Sequence, residues 1–151
     1  MADEIPTEND KEAERFRREL NNLAYAIEVY GGTSKTRGNA VAEELDVAPI
    51  HITPHEVETE EDFLRLLSKD MDSHRVSYVD ARRTLSDEVV LFEDFHRLSD
   101  DDRTNIARQM KAIVESGFEG GFVVTTETGE RLVKDEPNLR GRVKSWRVRD
   151  H

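Results

Sequence analysis

The feature that most constrains this chain is Val89-Val90-Leu91-Phe92-Glu93-Asp94-Phe95-His96-Arg97-Leu98, four apolar residues running straight into two adjacent carboxylates. An apolar run this short and unbroken suits a strand buried on both faces, as in a parallel sheet between helices. Carboxylates at its C-terminal end then stand at the edge where open α/β sheets bind ligands.

The residues on either side fit that frame. Phe16, Leu20 and Leu23 recur at helical spacing from Lys11 onward and predict an amphipathic first helix, behind a polar, acidic stretch 1–10 expected to be flexible. Ala24 to Tyr30 reads as a strand ending at Gly31-Gly32, and the loop Gly31–Asn39 leads to a short helix through Val41, Ala42 and Leu45. Pro49-Ile50-His51-Ile52-Thr53 is a second strand candidate, closed by Pro54. Thr59-Glu60-Glu61-Asp62 resembles a capping box ahead of Phe63, Leu64, Leu66 and Leu67, a helix expected to run to about Lys69. Val76 to Val79 suggests a third strand, and Ala81 to Asp87 is ambiguous. Ser99 followed by Asp100-Asp101-Asp102 is a capped, dipole-matched helix start; Ile106, Met110, Ile113 and Val114 supply its apolar face, and Gly117 ends it. Gly121–Thr126 is another buried strand that ends in hydroxyls. A turn at Arg131–Lys134, a break at Pro137 and a strand near Val143–Val148 follow. Strands alternating with helices imply right-handed crossovers and a mainly parallel sheet, an α/β fold in three α/β/α layers. One domain over 11–151 is expected behind the acidic 1–10 stretch, with no helical subdomain after the last strand.

Composition narrows the function classes. Thirty-three acids against 22 Lys plus Arg give a formal charge of −11, which disfavours bulk nucleic-acid binding. Arg outnumbers Lys sixteen to six, and an acid-rich, Lys-poor surface is similar to those of proteins from salt-loving cells; an ordinary acidic domain explains it equally well. The chain has no Cys, so disulfides and thiolate metal sites are excluded. With no signal-peptide pattern and no apolar run of the roughly 18 residues a membrane helix needs, it is expected to be cytoplasmic.

Together these pieces resemble a P-loop ATPase core of the additional-strand type, similar to the AAA and STAND-type ATPases, over roughly residues 24–148. The acidic pair with its aromatic, His, Arg and Leu carries most of the likeness. Thr125-Thr126 ends a strand where a sensor would stand, and Leu139-Arg140-Gly141-Arg142-Val143 is similar to the Leu-x-Gly-Arg-Val that precedes the lid in such proteins. The resemblance implies ATP and Mg²⁺ as cofactors, Glu93 holding Mg²⁺ through water, Asp94 orienting the attacking water, and Arg142 sensing nucleotide or a neighbouring subunit.

The phosphate loop departs from that family. Gly-x-x-x-x-Gly-Lys-Ser/Thr cradles phosphates in backbone N–H groups, and its Lys and hydroxyl reach phosphate and Mg²⁺. Counting from Gly32 puts Gly38 and Asn39 in place of the Lys and the hydroxyl. Using Lys35-Thr36 as the Lys-Thr pair instead puts Val29 and Ser34 in place of the glycines and leaves the loop too short. Gly31, Gly32, Lys35, Thr36, Arg37 and Asn39 are the candidate nucleotide contacts, with Lys35 or Arg37 able to neutralise phosphate. Glu93 is one methylene longer than the usual Asp.

Other candidates have simpler explanations. His51 and His55 have zinc spacing only on a helix, which Pro54 spoils. His96 beside the acidic pair suits a hydrogen-bonded structural role, and Asp100–Asp102 suit helix capping. Arg140, Arg142, Lys144, Trp146, Arg147 and Arg149 form a basic strip with an aromatic, read as a charge-protected sheet edge. Three functional readings follow. The first is a regulatory module, non-catalytic or weakly nucleotide-binding, that engages a protein partner. The second is an Mg-dependent ATPase with an atypical loop. The third is a small acidic adaptor, in which Ala26–Tyr30 would not lie beside Val89–Phe92. Homo-oligomerisation is compatible with the resemblance, and a membrane role is not expected.

Overall fold

The computed structural model describes residues 3–4, 14–15, 18, 26–45, 48–57, 59–69, 76–85, 88–129, 132, 134 and 143–148. Six strands make one sheet: β1 (Asp3–Glu4), β2 (Ala26–Tyr30), β3 (Ile50–Ile52), β4 (Val89–Phe92), β5 (Gly121–Thr126) and β6 (Val143–Arg147). Their order is β1-β6-β2-β5-β4-β3, and every pairing is parallel. Among the described residues, the helices with defined bounds are α1 (Ser34–Glu44), α2 (Glu60–Ser68), α3 (Tyr78–Thr84) and α4 (Asp100–Glu115), with a 3₁₀ turn at Phe95–Arg97.

Side-chain alternation splits the central strands between two cores, as a strand covered on both faces requires. Val90 and Phe92 of β4, with Phe122 and Val124 of β5, pack beneath α2, α3 and α4 against Phe63, Leu67, Ala81, Ile106 and Met110. Val89, Leu91 and Val123 point the other way, with Ile27, Val29, Val41 of α1 and Trp146. The fold is therefore a three-layer α/β/α domain. Phe63 anchors the larger core, with its ring 6.1 Å from that of Phe92 and 6.2 Å from that of Phe122.

Local signals place the helices as expected. The Thr59 hydroxyl accepts from the Asp62 N–H at the start of α2, whose C-cap Lys69 adopts the left-handed conformation. Ser99 accepts from Asp102 in the same way, and the acids of the first α4 turn lie on its positive end. These caps rest on side chains a few residues apart, which is why they are legible in sequence.

Five expectations change. Val76–Val79 is not a strand: Ser77 caps α3, and the helix takes in Tyr78 and Val79, leaving both exposed. Strand β6 is not a sheet edge, because β1 pairs along its outer side with Asp3 opposite Trp146. That pairing also gives the acidic 1–10 stretch an ordered contact at Asp3–Glu4. Trp146 is not part of a surface strip; it is fully buried, with the Arg15 guanidinium 4.9 Å from its ring centre. Finally, β2 and β4 are not direct neighbours, since β5 lies between them. This is the separation the acidic-adaptor reading named, although the two strands lie one strand apart rather than far apart in the sheet.

Glu14, Arg15 and Arg18 are helical, whereas Phe16, Leu20 and Leu23 of the predicted first helix lie outside the described residues. So do Arg131, Val133 and Pro137.

The entry to β5 leaves no room at Gly120. A Cβ there would fall 2.0 Å from the Glu88 carbonyl oxygen and 2.6 Å from the Phe118 ring. Gly120→Ala should destabilise the fold by about 1–3 kcal/mol through overpacking, read as a lower urea midpoint with an unchanged slope.

Candidate functional site

The carboxyl ends of β2, β4 and β5 bring together the loop Gly31–Thr33, the acidic pair and Thr125. The loop is far shorter than the expected Gly31–Asn39. Thr33 caps α1, which starts at Ser34, so Lys35, Thr36, Arg37, Gly38 and Asn39 are all helical. The signal was local: Thr33 and Thr36 form a reciprocal capping box, Thr33 N–H donating to Thr36 Oγ1 at 2.8 Å and Thr36 N–H to Thr33 Oγ1 at 3.1 Å. Those two N–H groups are thus already satisfied. Both glycines take positive φ, 83° and 60°, a conformation L side chains resist. At Gly31 a Cβ would also approach the Val148 carbonyl oxygen to 3.3 Å.

Arg37 fills the space the loop encloses. It is 3% exposed, and its Nη1 donates to the carbonyls of Gly31 at 3.0 Å and Gly32 at 3.1 Å. Its Nη2 donates to Asp94 Oδ1 at 3.1 Å, and the Ser34 hydroxyl donates to Asp94 Oδ2 at 2.7 Å. The polarity is the reverse of a phosphate cradle. Carbonyls and a carboxylate converge on a cation, where a P-loop turns N–H groups toward an anion.

Asp94 has φ 54°, a left-handed turn that short polar residues tolerate better than others. Its own N–H donates to Thr125 Oγ1 at 2.8 Å, tying the end of β4 to β5. Burial raises the Asp94 carboxyl, but the bonds from Ser34 and Arg37 and the charges of Arg97 and Arg37 outweigh it and hold the group below its ordinary 3.8.

Glu93 points away from this cluster. His51 Nε2 lies 3.1 Å from its Oε2, and its Oε1 occupies the place a Cβ on Gly38 would need, 2.6 Å away. It therefore links the end of β4 to β3 and lies against Gly38 of α1. Lys35, Thr36 and Asn39 are exposed on α1, and Arg142 lies outside the described residues. The structure thus brings Gly31, Gly32, Arg37, Asp94 and Thr125 together and leaves Lys35, Thr36 and Asn39 on the surface.

Two residues of the site were missed in the sequence. Ser34 supplies the hydroxyl on Asp94, a role neither register gave it: one placed it inside the loop and the other put it in place of a glycine. Glu28, in the middle of β2, is fully buried and accepts from Leu132 N–H at 2.7 Å and Thr126 Oγ1 at 2.9 Å. A lone acid in an otherwise apolar strand was the available signal. Among the described residues no cluster of three or more metal-ligating side chains forms, and no helix is long and apolar enough to cross a membrane.

Comparison with solved structures places the fold. One chain of a structure described as Drosophila ORC bound to DNA superposes with a TM-score of 0.55 at 12% identity. The alignment covers 97% of this chain and 45% of that one, so this chain spans under half the length of that chain. The likeness shows the fold alone, a parallel α/β sheet domain with helices. No family model and no curated protein matches the sequence.

Removing Arg37 alone would strand a buried carboxylate and two carbonyls. Arg37→Ala should cost about 3–5 kcal/mol in thermal or chemical unfolding, and Arg37→Met with Asp94→Asn should recover most of it. Because the folded Asp94 pKa is depressed, its contribution to stability is present above about pH 4 and is lost as the pH falls through the folded value. Wild type should therefore lose more stability than Asp94→Asn between about pH 4 and the acid limit of the fold.

Proposed function

We propose that this P-loop NTPase-like domain is a non-catalytic regulatory module that engages a protein partner and has given up nucleotide turnover. The observation that carries this reading is the buried ion pair of Arg37 and Asp94, with side chains 4% and 11% exposed. The guanidinium takes up the loop carbonyls and the carboxylate together, so a phosphate entering there would meet acceptors.

The residues present do not fit Mg-ATP well. No Lys lies within the loop Gly31–Thr33, Lys35 is exposed on α1, and Glu93 is committed to His51 and Gly38. Only Ser34 and Asp94 keep a hydroxyl-carboxylate pair, and Arg37 already neutralises it. The DNA contact named for the structural neighbour does not carry over readily, since a formal charge of −11 opposes phosphate-backbone binding. A protein partner suits a domain that keeps its layers while its ligand site is closed.

Calorimetric titration of Mg-ATP into the folded protein, at low and at molar KCl, tests the reading. Silence under both salts is the expected outcome. Micromolar binding that disappears in Lys35→Ala, with turnover lost in Asp94→Asn, would establish the ATPase instead.

A further inference from the structure

A ring of hydrogen bonds joins three loops at the carboxyl edge of the sheet. His96 Nδ1 accepts from the Glu127 N–H at 3.2 Å, and the Glu127 carbonyl accepts from the Gly31 N–H at 3.3 Å. The Gly31 carbonyl accepts from Arg37, which bonds Asp94, two residues before His96 on the same turn. His96 therefore holds the turn after β5, and that turn in part holds the glycine loop.

We propose that His96 is a proton-operated latch on this ring: protonation of Nδ1 removes the acceptor for the Glu127 N–H and loosens the hold of the β5 turn on Gly31. The step is a plain proton uptake. The Nδ1 lone pair binds the incoming proton, the atom changes from acceptor to donor, and the Glu127 N–H is left without it. The Glu127 carboxylate, 3.9 Å from Nε2 and mostly exposed, then offers the charged ring a new partner on the same residue. The latch thus exchanges a main-chain bond for a side-chain one.

The charged groups around His96 set the range. Burial favours the neutral ring most strongly and Arg37 and Arg97 add to it, while Asp94 and Glu127 favour the cation, for a net value below 6.5. Arg103, from α4, donates to the His96 carbonyl at 3.3 Å and fixes the turn from the other side. Since the folded value is depressed, the closed latch is complete above about pH 6.5 and opens as the pH falls below it. The inference rests on these bonds and holds whether or not the site takes nucleotide.

Proton–nitrogen correlation spectra of the full chain from about pH 8 down to pH 5 test it. The Glu127 and Gly31 amides should move upfield with the same midpoint as the His96 imidazole. In His96→Asn, whose Oδ1 accepts without titrating, both amides should stay flat. A Glu127 amide that stays fixed while His96 titrates would overturn the latch, as would an unchanged titration in His96→Asn. If that variant does not fold, the wild-type midpoints decide alone: coincident midpoints support the latch, and separate ones reject it.

Discussion

A guanidinium buried between two carbonyls and a carboxylate organises the carboxyl edge of this domain. Arg37 reaches back one helical turn from α1 to the loop that precedes it, and across to the turn after β4. Burying a charge is costly unless its hydrogen bonds are met; two carbonyls and a carboxylate from two segments meet those of Nη1 and Nη2, while Nε is buried without a partner. The bond from Thr125 to the Asp94 N–H brings β5 into the same arrangement. Loop length, the left-handed turn at Asp94 and the start of α1 all follow from closing around that cation.

This arrangement explains how so short a loop can connect β2 to α1. A phosphate cradle is a wide ring of N–H groups whose ligand comes from outside. In this chain three residues, Gly31 to Thr33, connect strand to helix, and the Gly31 and Gly32 carbonyls point inward to a group supplied by the helix itself. Such a ligand is always present, because it is covalently attached. Occupancy no longer depends on the concentration of anything in solution.

Much of the frame was legible in the sequence because its signals are local. Val89–Phe92 has the short apolar run of a strand covered on both sides, and Ser99 with three acids has the chemistry of a helix start. The caps of α2 and α4 needed no tertiary knowledge. The errors fall where tertiary context decides. Trp146 looked like part of a basic surface strip because its neighbours in sequence are charged; its burial depends on α1 and on Arg15, both remote from it. Val76 and Val79 have strand-like composition, but the capping box between Ser77 and Asp80 takes the chain into a helix. In the site, Gly31, Gly32, Arg37 and Asp94 were all candidates. Their joint meaning depended on the helix starting at Ser34, and motif spacing counted from a longer loop hid it.

Strand order has a consequence for how such a chain is made. Strand β2 leaves a ribosome before either of its strand partners, residues 121–126 and 143–147. Ile27 and Val29, both buried in the finished sheet, must wait without those partners while β3, β4 and helices α1 to α4 are synthesised. In contrast β4, α4 and β5 follow one another directly and share a core. Strand β2 is therefore left longer without its sheet partners than β4 or β5 and is the more in need of protection from aggregation.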